Sequence, residues 1–256
     1  MSANKPTKDE GPTLPLADGA RVIGESDGLL AIYKPEGLRA HPNEKGKIDK
    51  GALLAAPYDL ERECYLLPDG SDLFLLHRLD GPTSGLLLLC ADAALAARTR
   101  ALFARHMVRK TYEALVFGDA GRGRRTWRDK LRTEKGEGRA GARTSVGSGD
   151  MSEAQASVLK RGEARNGQLL TLLSLEPATG RTHQLRVQCA SRHLPIVGDA
   201  TYGNFAWNKK AARELGIKRL CLHAAAISLS LEHEGRKISF TANCPTPEIF
   251  REAIGG

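Results

Sequence analysis

Residues 76–89 read Leu76-His77-Arg78-Leu79-Asp80-Gly81-Pro82-Thr83-Ser84-Gly85-Leu86-Leu87-Leu88-Leu89. The second half is an uninterrupted apolar run, short enough to be a strand that is buried on both faces. The first half is polar, and its Gly-Pro and Ser-Gly pairs are typical of turns. The pattern therefore places a carboxylate, Asp80, on a tight turn that leads into a core strand. Arg78 lies two residues earlier, which in extended backbone means the same face.

Two interpretations fit an aspartate at this position. It can be a turn residue whose carboxylate accepts backbone N–H groups. It can also be a reacting group, because a loop anchored to a rigid strand holds a side chain in a fixed place. The stretch alone favours the turn residue, and the motifs elsewhere in the chain reverse that preference.

The composition narrows the class of protein. The chain has 256 residues, of which 41% are hydrophobic, and a formal net charge of +8. This length and apolar fraction predict a folded chain with a substantial core, in one large domain or two small ones. The positive charge indicates an anionic partner such as RNA, DNA or a membrane surface, although solubility alone also explains a basic chain.

Several classes are disfavoured by patterns that the sequence lacks. No stretch approaches the ~20 apolar residues of a membrane span, and the polar N-terminus is unlike a secretory signal. The five cysteines form no CxxC pair and have no metal-ligand spacing, so we expect a cytoplasmic protein without a metal site or a membrane partner. Neither a GxSxG hydrolase elbow nor a phosphate-binding GxxxxGKS or GxxxxGKT loop occurs.

The hydrophobic pattern predicts mostly strands. Short strands are expected at 21–23 and 29–33, joined by a Ser-Asp-Gly turn, and a longer strand at 108–118. A hairpin is expected within 154–176, around an Arg-Asn-Gly turn. One amphipathic helix is expected over 92–106, with three arginines on its surface.

Two segments are expected to lack regular structure. Residues 1–20 are rich in proline and charge and predict a flexible leader, which leaves 21–256 as the folded domain. Residues 119–150 combine many glycines with nine Arg and Lys residues. This variable basic loop is either a solvated surface or an electrostatic arm that orders on RNA, and both alternatives stay open.

Further motifs follow the first stretch or precede it in the chain. They are Lys34-Pro35-Glu36-Gly37-Leu38, Lys110-Thr111-Tyr112-Glu113-Ala114, Thr179-Gly180-Arg181-Thr182-His183-Gln184-Leu185-Arg186, Pro195-Ile196-Val197-Gly198-Asp199, and Arg219-Leu220-Cys221-Leu222-His223-Ala224. With the HRLD of the first stretch, this series resembles the RluA-type pseudouridine synthases over about residues 21 to 250. HRLD instead of GRLD favours this type over the RsuA type.

The resemblance implies an α+β fold, the pseudouridine synthase catalytic fold. It has a long, mainly antiparallel mixed β-sheet with flanking helices and a central basic cleft. The implied activity is that of an isomerase that converts specific uridines of ribosomal or transfer RNA to pseudouridine. We expect a monomer without an S4 domain, a cofactor or a metal. Asp80 would be the nucleophile, Arg181 its ion-pair partner, and Tyr112 a residue beside the base.

The resemblance also implies which residues bind the RNA. A base in folded RNA must leave its stack, at a cost of roughly a few kcal/mol. Arg78 would occupy the space that the uridine leaves, and Leu222 would pack on the uracil ring. The remaining predicted substrate contacts are His77, Thr83 and Gln184. We expect the Asp80 loop to meet two strands, which carry Tyr112 and Arg181, in the cleft.

The chemistry explains why such residues are needed. Pseudouridine formation breaks the N1–C1′ bond of a uridine and rejoins the base through C5, which requires a carboxylate, a base for the C5 proton and a dry pocket. A buried carboxylate stays ionised only with a cation beside it. Attack on C1′, attack on the ring and formation of a glycal stay open.

The alternative function is a catalytically silent RNA-binding or chaperone module on the same fold. Such a module explains the positive charge equally well. It gives no reason to keep Asp80, Tyr112 and Arg181 together, because a pure binder gains nothing from a carboxylate that faces RNA phosphates.

Overall fold

The structure is a computed structural model that describes residues 14–44, 46–134 and 142–255. Thirteen strands within these ranges form one sheet. The strands are β1 (Arg21–Ser26), β2 (Leu29–Lys34), β3 (Tyr58–Asp59), β4 (Cys64–Leu66), β5 (Asp72–Leu75), β6 (Ser84–Cys90), β7 (Arg109–Phe117), β8 (Arg124–Glu134), β9 (Arg143–Val146), β10 (Asp150–Glu163), β11 (Leu169–Pro177), β12 (Leu222–His233) and β13 (Arg236–Asn243). The helices are α1 (Ala93–Ala104), α2 (Gln184–Ala190), α3 (Phe205–Glu214) and α4 (Ile249–Glu252).

The sheet runs in the order β3-β4-β5-β6-β12-β7-β11-β10-β8-β9. Two branches leave this path: β2 and then β1 from β6, and β13 from β12. Strands β6 and β12 pair in parallel, and the other strand pairs of the described ranges are antiparallel. The predicted α+β fold with a mainly antiparallel mixed sheet is therefore confirmed.

Strand β6 is the apolar run that the sequence placed in the core. All seven of its residues are buried. Leu86 and Leu88 pack into the apolar cluster beside α1, whereas Leu87 and Leu89 pack into the cluster on the other face. A strand covered on both faces has no polar alternation, which is why the run is uninterrupted. Gly85 is required here, because its φ is +117° and a Cβ would lie 2.3 Å from the Ala224 carbonyl oxygen.

Helix α1 confirms the predicted helix. Asp92 caps it, since its Oδ1 accepts a hydrogen bond from the Leu95 N–H at 2.6 Å. Arg100, predicted on the surface, donates instead to the backbone carbonyls of Glu63 and Leu75, both at 2.7 Å. One of the three helix arginines therefore fastens the preceding loop to the helix.

The predicted basic loop is wrong for much of residues 119–150. β8 is an eleven-residue strand that pairs with β10 and β9. Its side chains alternate, with Trp127 and Leu131 buried between exposed Arg and Lys residues. The high charge of the outward face hides this period of two. Lys135 and Arg139 of the predicted loop lie outside the described residues.

The predicted leader ends earlier than residue 20. Residues 14–20 lie on the core, where the Ala17 N–H donates to the Leu53 carbonyl at 2.9 Å and the Ala55 N–H to the Pro15 carbonyl at 2.8 Å. Residues 1–13 lie outside the described residues. Within the described part of the chain, no helix is long and apolar enough to cross a membrane.

Candidate active site

A cavity of about 760 Å³ opens where the turn before β6, strand β7 and the segment between β11 and α2 meet. All eight predicted site residues line it: His77, Arg78, Asp80, Thr83, Tyr112, Arg181, Gln184 and Leu222. Five Arg and Lys side chains share its wall with one carboxylate, that of Asp80. The structure therefore brings the predicted residues together in a basic cleft.

The turn that carries Asp80 is fixed by its own backbone and by a buried lysine. The Thr83 N–H donates to the Asp80 carbonyl at 3.0 Å. The next carbonyl, that of Gly81, accepts from the Gly37 N–H and from Lys34 Nζ, both at 2.9 Å. The two peptide groups that directly follow the Asp80 side chain are thus anchored, and this side chain is 27% exposed.

Lys34 is a functional residue that the sequence analysis did not identify. Its side chain is fully buried, and Nζ donates to the carbonyls of Pro35, Leu38 and Gly81 at 2.8 to 3.0 Å. Burial lowers the pKa of Lys34 to about 8, against the opposing charge of Asp80. An ammonium has three donors, so this lysine uses all of them to join the Lys-Pro turn to the Asp80 turn.

The cation beside Asp80 is Arg186. Its Nη1 lies 3.3 Å from Asp80 Oδ2, while Nε and Nη2 each donate to the Asp199 carboxylate at 2.8 Å. Burial alone would lower the pKa of Arg186, but the hydrogen bond and charge of Asp199, with Asp80, raise it. Asp199 also accepts the backbone N–H groups of Thr201 and Tyr202. Arg186 therefore presents one fixed donor edge to Asp80.

The predicted pairing of Arg181 with Asp80 is wrong. Arg181 is 44% exposed and contacts Asp150, with Nη1 2.8 Å from Oδ2. The prediction placed Arg181 on a strand, whereas residues 178–183 form a loop and helix α2 begins at Gln184. This helix turns Arg186, the second arginine of the same motif, towards Asp80.

His183 is the second side chain beside Asp80, and the sequence analysis gave it no role. Tyr202 Oη accepts from the Thr144 N–H at 2.8 Å, so its own proton points to His183 Nδ1 at 2.9 Å. Burial lowers the pKa of His183. The neutral ring then carries its proton on Nε2, which lies 3.7 Å from Asp80 Oδ2.

Both neighbours of Asp80 therefore approach the same oxygen, Oδ2. Within the described ranges, no group donates a hydrogen bond to Oδ1. A carboxylate held in this way has one oxygen fixed by the Arg186 guanidinium, while the other accepts no hydrogen bond within the described ranges and stays free to react, as a nucleophile needs.

Tyr112 and Leu222 form the wall opposite Asp80. They lie on the neighbouring strands β7 and β12, where Leu222 pairs with Ala114 and Ala224 with Tyr112. Burial, and then the charge of Asp80, raises the pKa of Tyr112 above its usual value. Its phenol keeps its proton at neutral pH and can donate a hydrogen bond into the cavity.

The side chains of the other predicted substrate contacts differ in their exposure and in the protein groups that they already contact. Within the described ranges, no side chain pairs with the guanidinium of the exposed Arg78. His77 stacks on Phe103 at 4.7 Å, and its Nε2 accepts the Leu88 N–H at 3.2 Å, so burial lowers its pKa to about 3. Thr83 is 2% exposed. His77 and Thr83 thus support the turn.

The side-chain amide of Gln184 makes all of its hydrogen bonds with other groups of the protein. Its Oε1 accepts from Thr179 Oγ1 and the Arg181 N–H, and its Nε2 donates to the Glu153 carbonyl and Gln188 Oε1. An amide side chain has no further strong donor or acceptor. The predicted substrate contact by Gln184 is therefore replaced by a role in holding the loop before α2.

A buried polar chain lies behind the Asp80 turn. Arg219 contacts Glu36 and donates to Ser84 Oγ at 2.5 Å, so the Ser84 hydroxyl donates to His223 Nδ1 at 2.8 Å. The remaining ring proton faces the Cys244 carbonyl at 3.3 Å. Ser84 and His223 are fully buried, and this chain ties the start of β6 to β12.

Comparison with known proteins gives a family model, two relatives and a solved structure that are similar to this chain. The family model for RNA pseudouridylate synthase matches residues 28–191, which include the Asp80 turn, β7 and α2. The tRNA pseudouridine synthase C of Yersinia pestis is 29% identical over 235 residues, which cover 88% of this chain and 87% of the relative. The ribosomal large subunit pseudouridine synthase C of Rickettsia felis is 32% identical over 228 residues, which cover 88% and 67%. The solved structure of human RNA Pseudouridylate Synthase Domain Containing 1 has a TM-score of 0.66 and 25% identity, covering 93% of this chain and 86% of that one.

Proposed function

The chain belongs to the RNA pseudouridylate synthase family, and from this premise we propose that it isomerises uridine in RNA through the carboxylate of Asp80. The enzyme is an isomerase. The observation that carries the proposal is the asymmetric setting of Asp80, in which Arg186 donates to Oδ2 and no group of the described ranges donates to Oδ1. No observation favours the catalytically silent alternative.

In this proposal each residue of the cleft has a separate role. Arg186 donates to Asp80 Oδ2 and His183 lies beside the same oxygen, so these two side chains hold the orientation of the carboxylate. Leu222 offers an apolar surface to the uracil ring, and the Tyr112 phenol donates a hydrogen bond beside it. Arg78, exposed at the cleft and without an ion-pair partner in the described ranges, fills the gap that the extruded uridine leaves in the RNA.

The isomerisation is balanced without another reactant. The N1–C1′ bond breaks, the C5–C1′ bond forms, and the proton lost from C5 is matched by the proton gained at N1. Attack at C1′, attack at the ring and a glycal route each use the same free oxygen of Asp80. The cavity encloses the detached base while it turns.

The RNA class is taken from the relatives, whose names point to transfer RNA in one case and to large-subunit ribosomal RNA in another. We propose that the substrate is a uridine in one of these two RNAs. Mapping pseudouridines in both RNAs from cells that lack the protein identifies which one. The monomeric state, the lack of a cofactor or metal and the cytoplasmic location stay predictions.

Asp80→Asn tests the activity. The amide is nearly isosteric, so the fold and RNA binding should persist while isomerisation is lost, because an amide is not a nucleophile. The measurement is tritium release from [5-³H]uridine-labelled RNA prepared from cells that lack the protein. Circular dichroism and RNA binding of the variant serve as controls, and near-wild-type tritium release would refute the assignment.

A further inference from the structure

Helix α3 presents an aromatic ring to solvent. Phe205 is 83% exposed, more than any other large apolar residue of the described ranges. The neighbouring Trp207 is anchored, since its ring meets that of Phe117 edge-on at 5.4 Å. Within the same ranges, no aromatic ring or cation packs against Phe205. An exposed aromatic ring that no neighbour covers is a feature of binding surfaces.

Two cations continue this face of the helix. Lys209 and Arg213 follow Phe205 at intervals of four residues, so all three lie along one side of α3, and all are exposed. Within the described ranges Lys209 has no carboxylate partner, and Arg213 contacts the adjacent Glu214. We call these three residues the α3 stripe. The stripe combines an aromatic ring, on which a base can stack, with two cations further along the helix, which can contact phosphates. This combination fits a single-stranded nucleic acid.

The α3 stripe is joined to the candidate active site through a short, fixed segment. Tyr202 donates to His183, which lies beside Asp80, and three residues of chain span at most about 11 Å. Asn208 of α3 holds the Asp199 carbonyl at 2.9 Å and accepts the Gly198 N–H at 2.8 Å. Residues 205–214 do not line the cavity, but Phe205 lies within about 11 Å of chain from Tyr202, so the N-terminal end of the helix has a fixed position relative to the cleft.

We propose that the α3 stripe binds single-stranded RNA that flanks the target uridine. Phe205 stacks on an unpaired base, and Lys209 and Arg213 contact phosphates. The inference rests on the proposed function, because it places the substrate RNA in the basic cleft next to α3. Single-stranded bases stack on aromatic side chains irrespective of sequence, so the stripe adds affinity and leaves the choice of uridine to the cleft.

The test is an equilibrium titration of the full chain with a fluorescein-labelled, mixed-sequence single-stranded RNA of about 20 nucleotides, a length that exceeds the footprint of single binding modules. Phe205→Ala should raise Kd on the order of tenfold without changing the salt dependence, because it removes a stacking contact and no charge. Leu159→Ala is the matched control, since Leu159 is another exposed apolar residue and lies on β10. It should leave Kd unchanged.

The charged part of the stripe is tested by Lys209→Gln with Arg213→Gln. If both side chains contact phosphates, the slope of log K against log salt should fall by about 1.4. The control is Arg236→Gln with Lys237→Gln, at the far end of the β12–β13 hairpin and roughly 35 Å along β12 from Leu222. That pair should change the slope much less. The same RNA as a duplex should show little effect of Phe205→Ala, because paired bases are not free to stack on it.

Three results would overturn the inference. One is an unchanged Kd in Phe205→Ala for a variant with wild-type circular dichroism. Another is failure of the unsubstituted chain to bind the single-stranded RNA while tritium release from cellular RNA persists, which would leave the proposed function intact. The third is a concentration-dependent dimer, seen by sedimentation and lost in Phe205→Ala, which would assign the stripe to a second copy of the chain. Loss of tritium release in Asp80→Asn is independent of these titrations, so the two proposals fail separately.

Discussion

Arginine and carboxylate side chains pair in two contrasting regions, the wall of the cleft and the outer face of the β8–β10 ladder. Arg186 and Asp199 meet at 2.8 Å with side chains that are 5% and 1% exposed. Arg128 and Glu153 meet at 2.7 Å, but their side chains are 67% and 33% exposed. The distances are nearly equal, and the surroundings differ. Because water weakens the interaction between charges, burial and not distance separates the two pairs.

Burying the Arg186–Asp199 pair costs desolvation free energy that the exposed Arg128–Glu153 pair largely avoids. Removing two charges from water is offset only when every donor and acceptor finds a partner. Arg186 comes close to this condition by using all three of its guanidinium nitrogens, since Nε and Nη2 donate to Asp199 and Nη1 donates to Asp80. A planar guanidinium can serve two carboxylates in fixed directions, which a lysine ammonium cannot. We expect this geometry to be the reason that the chain keeps a buried pair at the cleft.

The largest effect is expected from Arg186→Met. It leaves Asp199 buried without its cation, which should lower the free energy of unfolding by about 3–5 kcal/mol. Tritium release should also fall by about 10²–10³-fold or more, because Asp80 loses its fixed donor. Urea unfolding and tritium release measure the two effects. Arg186→Lys should restore part of the stability and little of the activity.

Two controls separate stability from catalysis in this prediction. Arg186→Met combined with Asp199→Leu removes both charges, so stability should recover while activity does not. Arg181→Met removes a half-exposed arginine that contacts Asp150, and activity should fall less than about tenfold. A larger loss of activity in Arg181→Met than in Arg186→Met would return the role beside Asp80 to Arg181.

An intermediate effect is expected on the pH dependence of the folding stability. It comes from His223, in the buried polar chain behind the Asp80 turn. Burial lowers the pKa of His223 from 6.5 to about 4. The folded state therefore keeps the ring neutral where the unfolded chain is protonated. The stability contribution is fully present above pH 6.5 and is lost as the pH falls towards 4, by up to roughly 3 kcal/mol. A proton on Nδ1 would face the Ser84 hydroxyl hydrogen, which explains the direction.

His223→Asn should remove this part of the acid sensitivity. The measurement is urea unfolding between pH 7 and pH 4.5, compared as a slope so that a uniform loss of stability does not matter. His193→Asn is the control, because His193 is exposed and asparagine tolerates its positive φ of +58°. Identical slopes for His223→Asn and the unsubstituted chain would show that another group sets the acid limit.

The smallest effect is expected on the outer face of β8. A double-mutant cycle of Arg128→Gln and Glu153→Gln should give a coupling below about 1 kcal/mol, and less at high salt. A coupling as large as that of the Arg186–Asp199 pair would contradict the comparison between the two regions.

The outer face of β8 also tests the two interpretations of the basic loop at residues 119–150, which are a solvated surface and an arm that binds RNA. Replacing Arg122, Arg124, Arg125 and Arg128 by Gln would lower the salt slope of RNA binding by roughly two to three if all four contact phosphates. Arg124 and Arg128 instead contact Glu176 and Glu153. Arg122 and Arg125 have no carboxylate partner in the described ranges, so we expect the slope to fall by no more than about 1.4. A drop of two or more would establish the RNA-binding arm.

The sequence could predict the elements whose pattern is strong. The run in β6 and the alternation in β7 gave correct strands, and the motif order placed Asp80, Tyr112 and Leu222 in one cleft. The helix α2 could not be predicted in this way. Its residues Gln184 to Cys189 are all buried, so no polar face marks a period of 3.6, and its apolar residues happen to alternate as in a strand. The motif from which the resemblance implied Arg181 contains two arginines, and only the turn of this helix brings the second, Arg186, to Asp80.

The burial of a single charged side chain also could not be predicted from the sequence. Lys34 reads as an ordinary turn lysine before a proline, and its complete burial depends on three carbonyls, one of them 47 residues away. The pairing of His183 with Tyr202 likewise joins two motifs that lie apart in the chain. Such contacts arise from tertiary packing, which a local pattern does not encode.

The position of β12 in the sheet sets an order of assembly. It lies between β6 and β7, yet these two strands are complete by residue 117 and β12 begins only at Leu222. A chain made from its N-terminus must therefore hold the Asp80 strand and the Tyr112 strand with unpaired edges until β12 leaves the ribosome. Contacts of such long sequence separation form slowly, and open edges invite mispairing. The cleft is consequently among the last parts of the molecule to form, and a nascent chain that stops short of Leu222 lacks one part of the cavity wall.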